Sequence, residues 1–232
     1  MKSDYTHITV ILDRTGSMES IRDDTIGGFN AFLTQQKAEP GLATLTLVQF
    51  DTQDPYEVIH QFQILSEIPE LTRETFVPRA STPLLDAIGR GINDLEKSLI
   101  DMEENKKPSR VVMVIITDGQ ENSSREFKKD HIEKMIREKQ EKFDWQFVFL
   151  SADLAAIGDA INHGIHARSS MSYDKNRRGT AAAWNSTSQR IADYRSARSN
   201  SVSFTDEDRS LQSSEKALEE LRKQKLKELK KD

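Results

Sequence analysis

Cysteine is absent from the 232 residues. Its absence removes disulfides, thiol nucleophiles and thiolate metal sites, and it fits a reducing compartment. No stretch approaches the roughly 20 apolar residues that a membrane span requires. The opening from Met1 to Leu12 has too short an apolar run for the core of a signal peptide, and Asp4 lies ahead of it. A cytoplasmic protein with no membrane partner is therefore expected. The five histidines, His7, His60, His131, His163 and His166, form no helical ligand pair, and Gly164 between the last two reads as loop rather than zinc helix. There is no internal repeat. No nucleophile–base pair stands out, so the expectation is a protein that is not an enzyme. A formal charge of −5 speaks against a generic nucleic-acid binder.

What is present suits a globular α/β domain with an appendage. At 36% hydrophobic and 31% charged residues the chain has enough apolar surface for a proper core. Ile8 to Leu12 is a nearly continuous apolar run, as expected of a strand buried on both faces. Ile21, Ile26, Phe29 and Leu33 then share a helical face. Ala43 to Phe50 and Tyr56 to Phe62 read as two strands joined by the turn residues 51–55, a link short enough for an antiparallel hairpin at a sheet edge. Thr82-Pro83 opens a helix marked by Leu85, Ile88, Ile92, Leu95 and Leu99.

The most hydrophobic strand, Val111 to Ile116, follows Pro108. A helix over about Phe127 to Lys142, a strand over Trp145 to Leu150, a short helix from Leu154 to Ile161 and an edge strand over Ile165 to Met171 complete the alternation. Trp184, Thr187, Ile191 and Tyr194 mark a last domain helix, with Trp184 and Tyr194 read as core. The implied architecture is a doubly wound, mainly parallel sheet with one antiparallel edge strand and helices on both faces. Residues 1–198 form the expected domain and 199–214 a serine-rich linker. Residues 215–232 form a charged amphipathic helix, with Leu218, Leu221, Leu226 and Leu229 in one arc.

Five oxygen-bearing residues sit in three loops. They are Asp13, Thr15 and Ser17, then Thr82, then Asp118 before Gly119. Asp13 and Asp118 each end a buried strand, and in a doubly wound sheet ligands collect beyond the strands' carboxyl ends where the winding reverses. Two carboxylates and three hydroxyls are hard donors that suit Mg²⁺ or Mn²⁺, with Ca²⁺ as a further option, better than zinc or copper. Taken singly, each residue also has a plain use as a helix cap or turn former.

The pattern Asp13-x-Thr15-x-Ser17, with a distant Thr82 and Asp118, resembles the metal-ion-dependent adhesion site of the von Willebrand factor A domain family. Asp-Arg-Thr-Gly-Ser-Met, Thr82-Pro83-Leu84-Leu85-Asp86-Ala87 and Ile116-Thr117-Asp118-Gly119 are similar to bacterial and phage members, and the likeness runs from about residue 5 to 198. It implies the Rossmann-like fold of that family. It also implies direct binding of a cation by the Ser17 and Thr15 hydroxyls, and binding by Thr82 directly or through water. Asp13 and Asp118 would act mostly through coordinated waters and hydrogen bonds. An open coordination position would then accept an Asp or Glu carboxylate from a partner protein. Thr15 stands where serine is commoner. Ser20 and Ile21 stand where some relatives carry acids for a second metal, so no second site is expected.

Other polar residues have plainer readings. Asp86 is expected to face the positive end of its own helix, Asp23 and Asp24 to be solvent-facing or N-terminal helix charges, and Glu121 and Asn122 to be loop polars at the rim of the site. Arg168, Lys175, Arg177, Arg178, Arg190, Arg195 and Arg198 read as a solvated basic face. Two other functions stand beside the binding module. One is a Mg²⁺-dependent phosphohydrolase or nuclease using Asp13 and Asp118. The other is an assembly protein self-associating through its C-terminal helix.

Overall fold

A computed structural model of the chain describes residues 4–162 and 164–212. Its centre is a six-stranded sheet of β1 (Tyr5–Asp13), β2 (Leu42–Phe50), β3 (Glu57–Ile64), β4 (Arg110–Thr117), β5 (Gln146–Ser151) and β6 (Ser170–Ser172). The strand order is β3-β2-β1-β4-β5-β6. Every neighbouring pair is parallel except β2 and β3, the hairpin at one edge. The α/β architecture expected from the alternation of apolar runs is the architecture found.

Residues alternate across the two faces of the sheet because successive side chains of a strand point in opposite directions. Ile8, Val10 and Leu12 of β1 and Val112, Val114 and Ile116 of β4 enter one core, which α1 (Arg22–Ala38) and α5 (Arg177–Arg195) cover. Ile11, Met113 and Ile115 enter the opposite core beneath α2 (Leu84–Asp101), α3 (Lys129–Phe143) and α4 (Leu154–Asn162). Burial on both faces explains why β1 and β4 read as unbroken apolar runs. In the first core Trp184 of α5 lies edge-on to Phe29, their ring centroids 5.7 Å apart. Gly28 makes that approach feasible, since a Cβ there would fall 2.0 Å from Trp184 Cδ1.

Several local expectations are corrected. Ile21, expected on the face of the first helix, instead ends a 3-10 turn over Gly16–Ile21 that precedes α1. The last edge strand is three residues long, Ser170–Ser172, preceded by a 3-10 turn over Ala167–Ser169. Residues 199–212 are not a free linker. Val202 and Phe204 are buried in the first core, and Phe204 N–H donates to the Arg168 carbonyl at 2.8 Å. A short helix α6 (Asp206–Gln212) follows, its Asp208 paired with Arg190 at 3.0 Å. The expected helix over 215–232 and the end of the expected linker lie outside the described residues, as does His163.

The basic stretch is also less uniform than a solvated face. Arg195 is buried and donates to the Gln36 carbonyl at 2.7 Å, with further contacts to the carbonyls of Glu39 and Gly41. It satisfies carbonyl groups left open where α1 ends. Among the described residues no helix is long and apolar enough to cross a membrane.

Candidate metal site

β1 and β4 are adjacent, and from them the chain winds outward in opposite directions, β1 to β2 and β4 to β5. Asp13 ends β1 and Asp118 follows β4, so the topology brings both carboxylates to one switch point. The hydroxyls join them in a chain. Thr15 Oγ1 lies 3.2 Å from Ser17 Oγ, and the Ser17 hydroxyl donates to Asp118 Oδ1 at 2.5 Å. Behind them Asp13 is fully buried and fixed on both oxygens: Thr15 N–H donates to Oδ1 at 2.7 Å and the Thr117 hydroxyl to Oδ2 at 2.6 Å.

Asp13 is thus a walled-in carboxylate and not part of a solvent-facing loop, whereas Ser17 is exposed. Gly16 has no positive φ. A Cβ on Gly16 would meet the Ala80 carbonyl oxygen at 3.4 Å, so the turn does not demand glycine for its conformation.

Thr82 arrives on a loop stitched to both others. Gly16 N–H donates to the Ala80 carbonyl and Arg79 N–H to the Arg14 carbonyl, at 3.1 and 2.9 Å. On the other side Thr82 N–H donates to Asn122 Oδ1 at 3.0 Å, and Asn122 N–H returns to the Thr82 carbonyl at 3.2 Å. Asn122 and Glu121 therefore do more than line a rim. Glu121 accepts from Leu85 N–H at 2.9 Å, satisfying an open donor in the first turn of α2.

Asp86 acts outside its own helix. Its carboxylate accepts the backbone N–H groups of Arg125, Glu126 and Phe127 at 2.8, 2.9 and 2.9 Å. The Thr82 and Asp118 loops are clamped to each other by this exchange. Arg14, inside the first motif, points the other way and donates through Nε to buried Asp51 at 2.9 Å, which also takes Arg79 Nε at 2.9 Å. The motif's flanking charge thus anchors the loop to the β2–β3 hairpin.

Burial, with Asp118 adding to it, pushes Asp13 up to about 6 against the opposing hydrogen bonds of Thr117 and Thr15. Tyr173, fully buried, is raised well above the ordinary phenol value by burial and then by Asp118 and Asp13. Its hydroxyl donates to the Thr117 carbonyl at 3.1 Å. Asp118 Oδ2 is buried and receives no aligned hydrogen bond among the described residues. Its contact is the ammonium group of Lys175, 2.5 Å away.

A buried oxygen without an aligned donor, a second carboxylate held near it and adjacent hydroxyls fit a hard divalent cation. Among the described residues, no three of His, Asp and Glu gather as a metal cluster, so the hydroxyls are essential to any such site. Thr117, Tyr173 and Lys175 were not legible as parts of the site. Thr117 sits beside Asp118 but looks like an ordinary strand threonine, and the other two lie some 55 residues further along.

No family model matches the sequence and no curated protein aligns with it. Solved structures share its fold. Proximal thread matrix protein 1 (PTMP1) from the mussel byssus superposes with a TM-score of 0.57 at 11% identity, covering 83% of this chain and 48% of that one. A second PTMP1 structure, at a TM-score of 0.54 and 12% identity, has a zinc-occupied MIDAS motif and shares 82% of this chain and 46% of that one. Manganese-loaded TRAP protein of Plasmodium vivax gives 0.52 at 13% identity, over 76% of this chain and 71% of that one. A von Willebrand factor type A structure from Catenulispora acidiphila gives 0.54 at 10% identity, over 82% and 43%. The chain spans under half the length of PTMP1. This protein has the fold of a von Willebrand factor A domain.

Proposed function

We propose that the protein is a divalent-cation-dependent protein-binding module. Mg²⁺ is the proposed ion, held by the hydroxyls of Ser17, Thr15 and Thr82 and by the carboxylates of Asp13 and Asp118. The observation that carries this reading is the linked set Thr15–Ser17–Asp118 at the switch point, backed by a buried Asp13. A cation bound mostly by neutral hydroxyls keeps much of its positive charge, so it attracts a further carboxylate. The proposed partner is a protein that offers an Asp or Glu side chain to the open position. Zinc in the MIDAS motif of PTMP1 and manganese in TRAP support divalent-cation binding in this fold. The lack of cysteine is in keeping with a cytoplasmic setting.

A phosphohydrolase or nuclease gains less support. Two-metal chemistry needs more anionic ligands than Asp13 and Asp118 supply, and the described residues gather no third. Assembly through residues 215–232 rests on a segment outside the described residues.

Calorimetric titration with MgCl₂ and MnCl₂ tests the metal site. Wild type should bind, and Ser17→Ala and Asp118→Asn should bind at least about tenfold more weakly, a loss near 1.4 kcal/mol. Far-UV circular dichroism should be unchanged for Ser17→Ala, whose side chain is at the surface. Equal affinities in all three proteins would overturn the assignment. Partner capture should require both Mg²⁺ and Ser17, and capture that persists in excess chelator would remove the carboxylate-recognition reading.

A further inference from the structure

Lys175 occupies a position that neither the adhesion-site pattern nor the fold accounts for. Its ammonium lies 2.5 Å from Asp118 Oδ2, on a carboxylate whose side chain is 0% exposed while the lysine side chain is 37% exposed. The lysine reaches in from solvent to a buried acid. It does so from an anchored loop between β6 and α5. On one side Tyr173 is buried, its N–H donating to the Ser151 carbonyl and its hydroxyl to the Thr117 carbonyl, each at 3.1 Å. On the other, Asn176 caps α5 by accepting Gly179 N–H at 2.9 Å. Gly179 lets the first turn of α5 press onto the loop, since a Cβ there would fall 2.3 Å from the Asp174 carbonyl oxygen. The backbone before Lys175 is therefore tied to the end of β5, the Tyr173 hydroxyl to the end of β4, and the backbone after it to the start of α5, while the part-exposed lysine side chain is free of such ties.

We propose that Lys175 is an internal counter-cation of the metal site. It neutralises Asp118 when no divalent ion is bound and has to leave that carboxylate before the ion is held there. The proposal rests on the metal-binding reading above and adds the lysine's part in it. Asp118 accepts the Ser17 hydroxyl on Oδ1 and faces the ammonium on Oδ2, so both its oxygens are engaged. A divalent cation drawing on Ser17 and Asp118 Oδ1 would share one carboxylate with the ammonium on Oδ2, and two positive charges on one partly buried carboxylate repel each other. The ion pair preserves the loop in metal-free protein and lowers the apparent affinity for the ion, because only the fraction with Lys175 displaced is competent to bind.

The test uses the full chain with Mg²⁺ or Mn²⁺ alone as ligand. Lys175→Met keeps the apolar stem without the charge and should bind the ion about tenfold more tightly than wild type. Lys175→Arg retains the charge and should stay within about threefold of wild type. In chelator, Lys175→Met should melt below wild type, because Asp118 is left buried and unpaired, and saturating Mg²⁺ should raise its melting temperature by more than it raises that of wild type. Lys175→Met affinity equal to or weaker than wild type, with Ser17→Ala still weakening binding about tenfold or more, would overturn the lysine's role and leave the metal site standing. If neither wild type nor Lys175→Met binds either cation, both readings fail together.

Discussion

His7 shows how a single buried side chain sets a pH limit on this fold. It lies at the start of the central strand β1 with Nδ1 2.8 Å from Thr44 Oγ1 and its ring stacked on Phe62 at 3.8 Å. Complete burial lowers its pKa from 6.5 to about 3. Between those values the unfolded chain takes up a proton that the folded chain refuses. Its contribution is therefore intact above pH 6.5 and drains away as pH falls, by about 2 kcal/mol at pH 5. Melts at pH 7.5 and 5.0 should show a larger acid loss for wild type than for His7→Gln, and equal losses would remove His7 from this account. The same contrast between sequence and environment holds at Asp13 and Ser17. They stand four residues apart in one motif, yet one is sealed and the other exposed. Substituting Asp13 therefore strips hydrogen bonds from Thr117 and Thr15 as well as a proposed cation ligand, and Ser17→Ala is the cleaner probe.

At the scale of elements, the junction of α2 with the loop after β4 holds the site together. Glu121 satisfies Leu85 N–H on α2, while Asp86 on α2 satisfies three successive N–H groups before α3. Each buried backbone donor left without a partner costs about 1–3 kcal/mol. Phe127 is buried and Arg125 and Glu126 are exposed, so Asp86→Ala should destabilise the fold by about 1–3 kcal/mol, read as a fall in the urea midpoint, and should weaken Mg²⁺ binding by loosening the Thr82 and Asp118 loops. A stability change under about 0.5 kcal/mol, the range of ordinary surface substitutions, would contradict the clamp. The first-turn charge expected from Asp86 was a local reading, whereas its partners lie about 40 residues further on.

For the molecule as a whole, the boundary of the domain moves outward. A chain ending at residue 198 would lose Val202 and Phe204 from the first core and Asp208 from its pairing with Arg190. Burial of such apolar side chains contributes about 1.5–3 kcal/mol each. The truncated protein should melt lower by on the order of 10 °C. An unchanged melting temperature would restore the linker reading. The serine-rich composition of 196–214 hid this packing because Val202 and Phe204 stand among many polar residues in too short a pattern to mark an element, and what they bury against comes from distant elements.

Sequence alone determined the elements whose environment is uniform. β1 and β4 are buried on both faces and so are apolar throughout, α2 is apolar on one stripe, and the short polar link after β2 forces a hairpin. It also determined the three loops that carry Asp13, Thr15, Ser17, Thr82 and Asp118, because hydroxyl and carboxylate residues at strand ends are visible as a pattern. Only the tertiary structure decided that Lys175 faces Asp118, that Asp86 and Glu121 lace two loops together, and that residues 199–212 close the core. Those outcomes depend on contacts between segments separated by tens of residues, where the identity of a side chain does not specify the neighbour it meets.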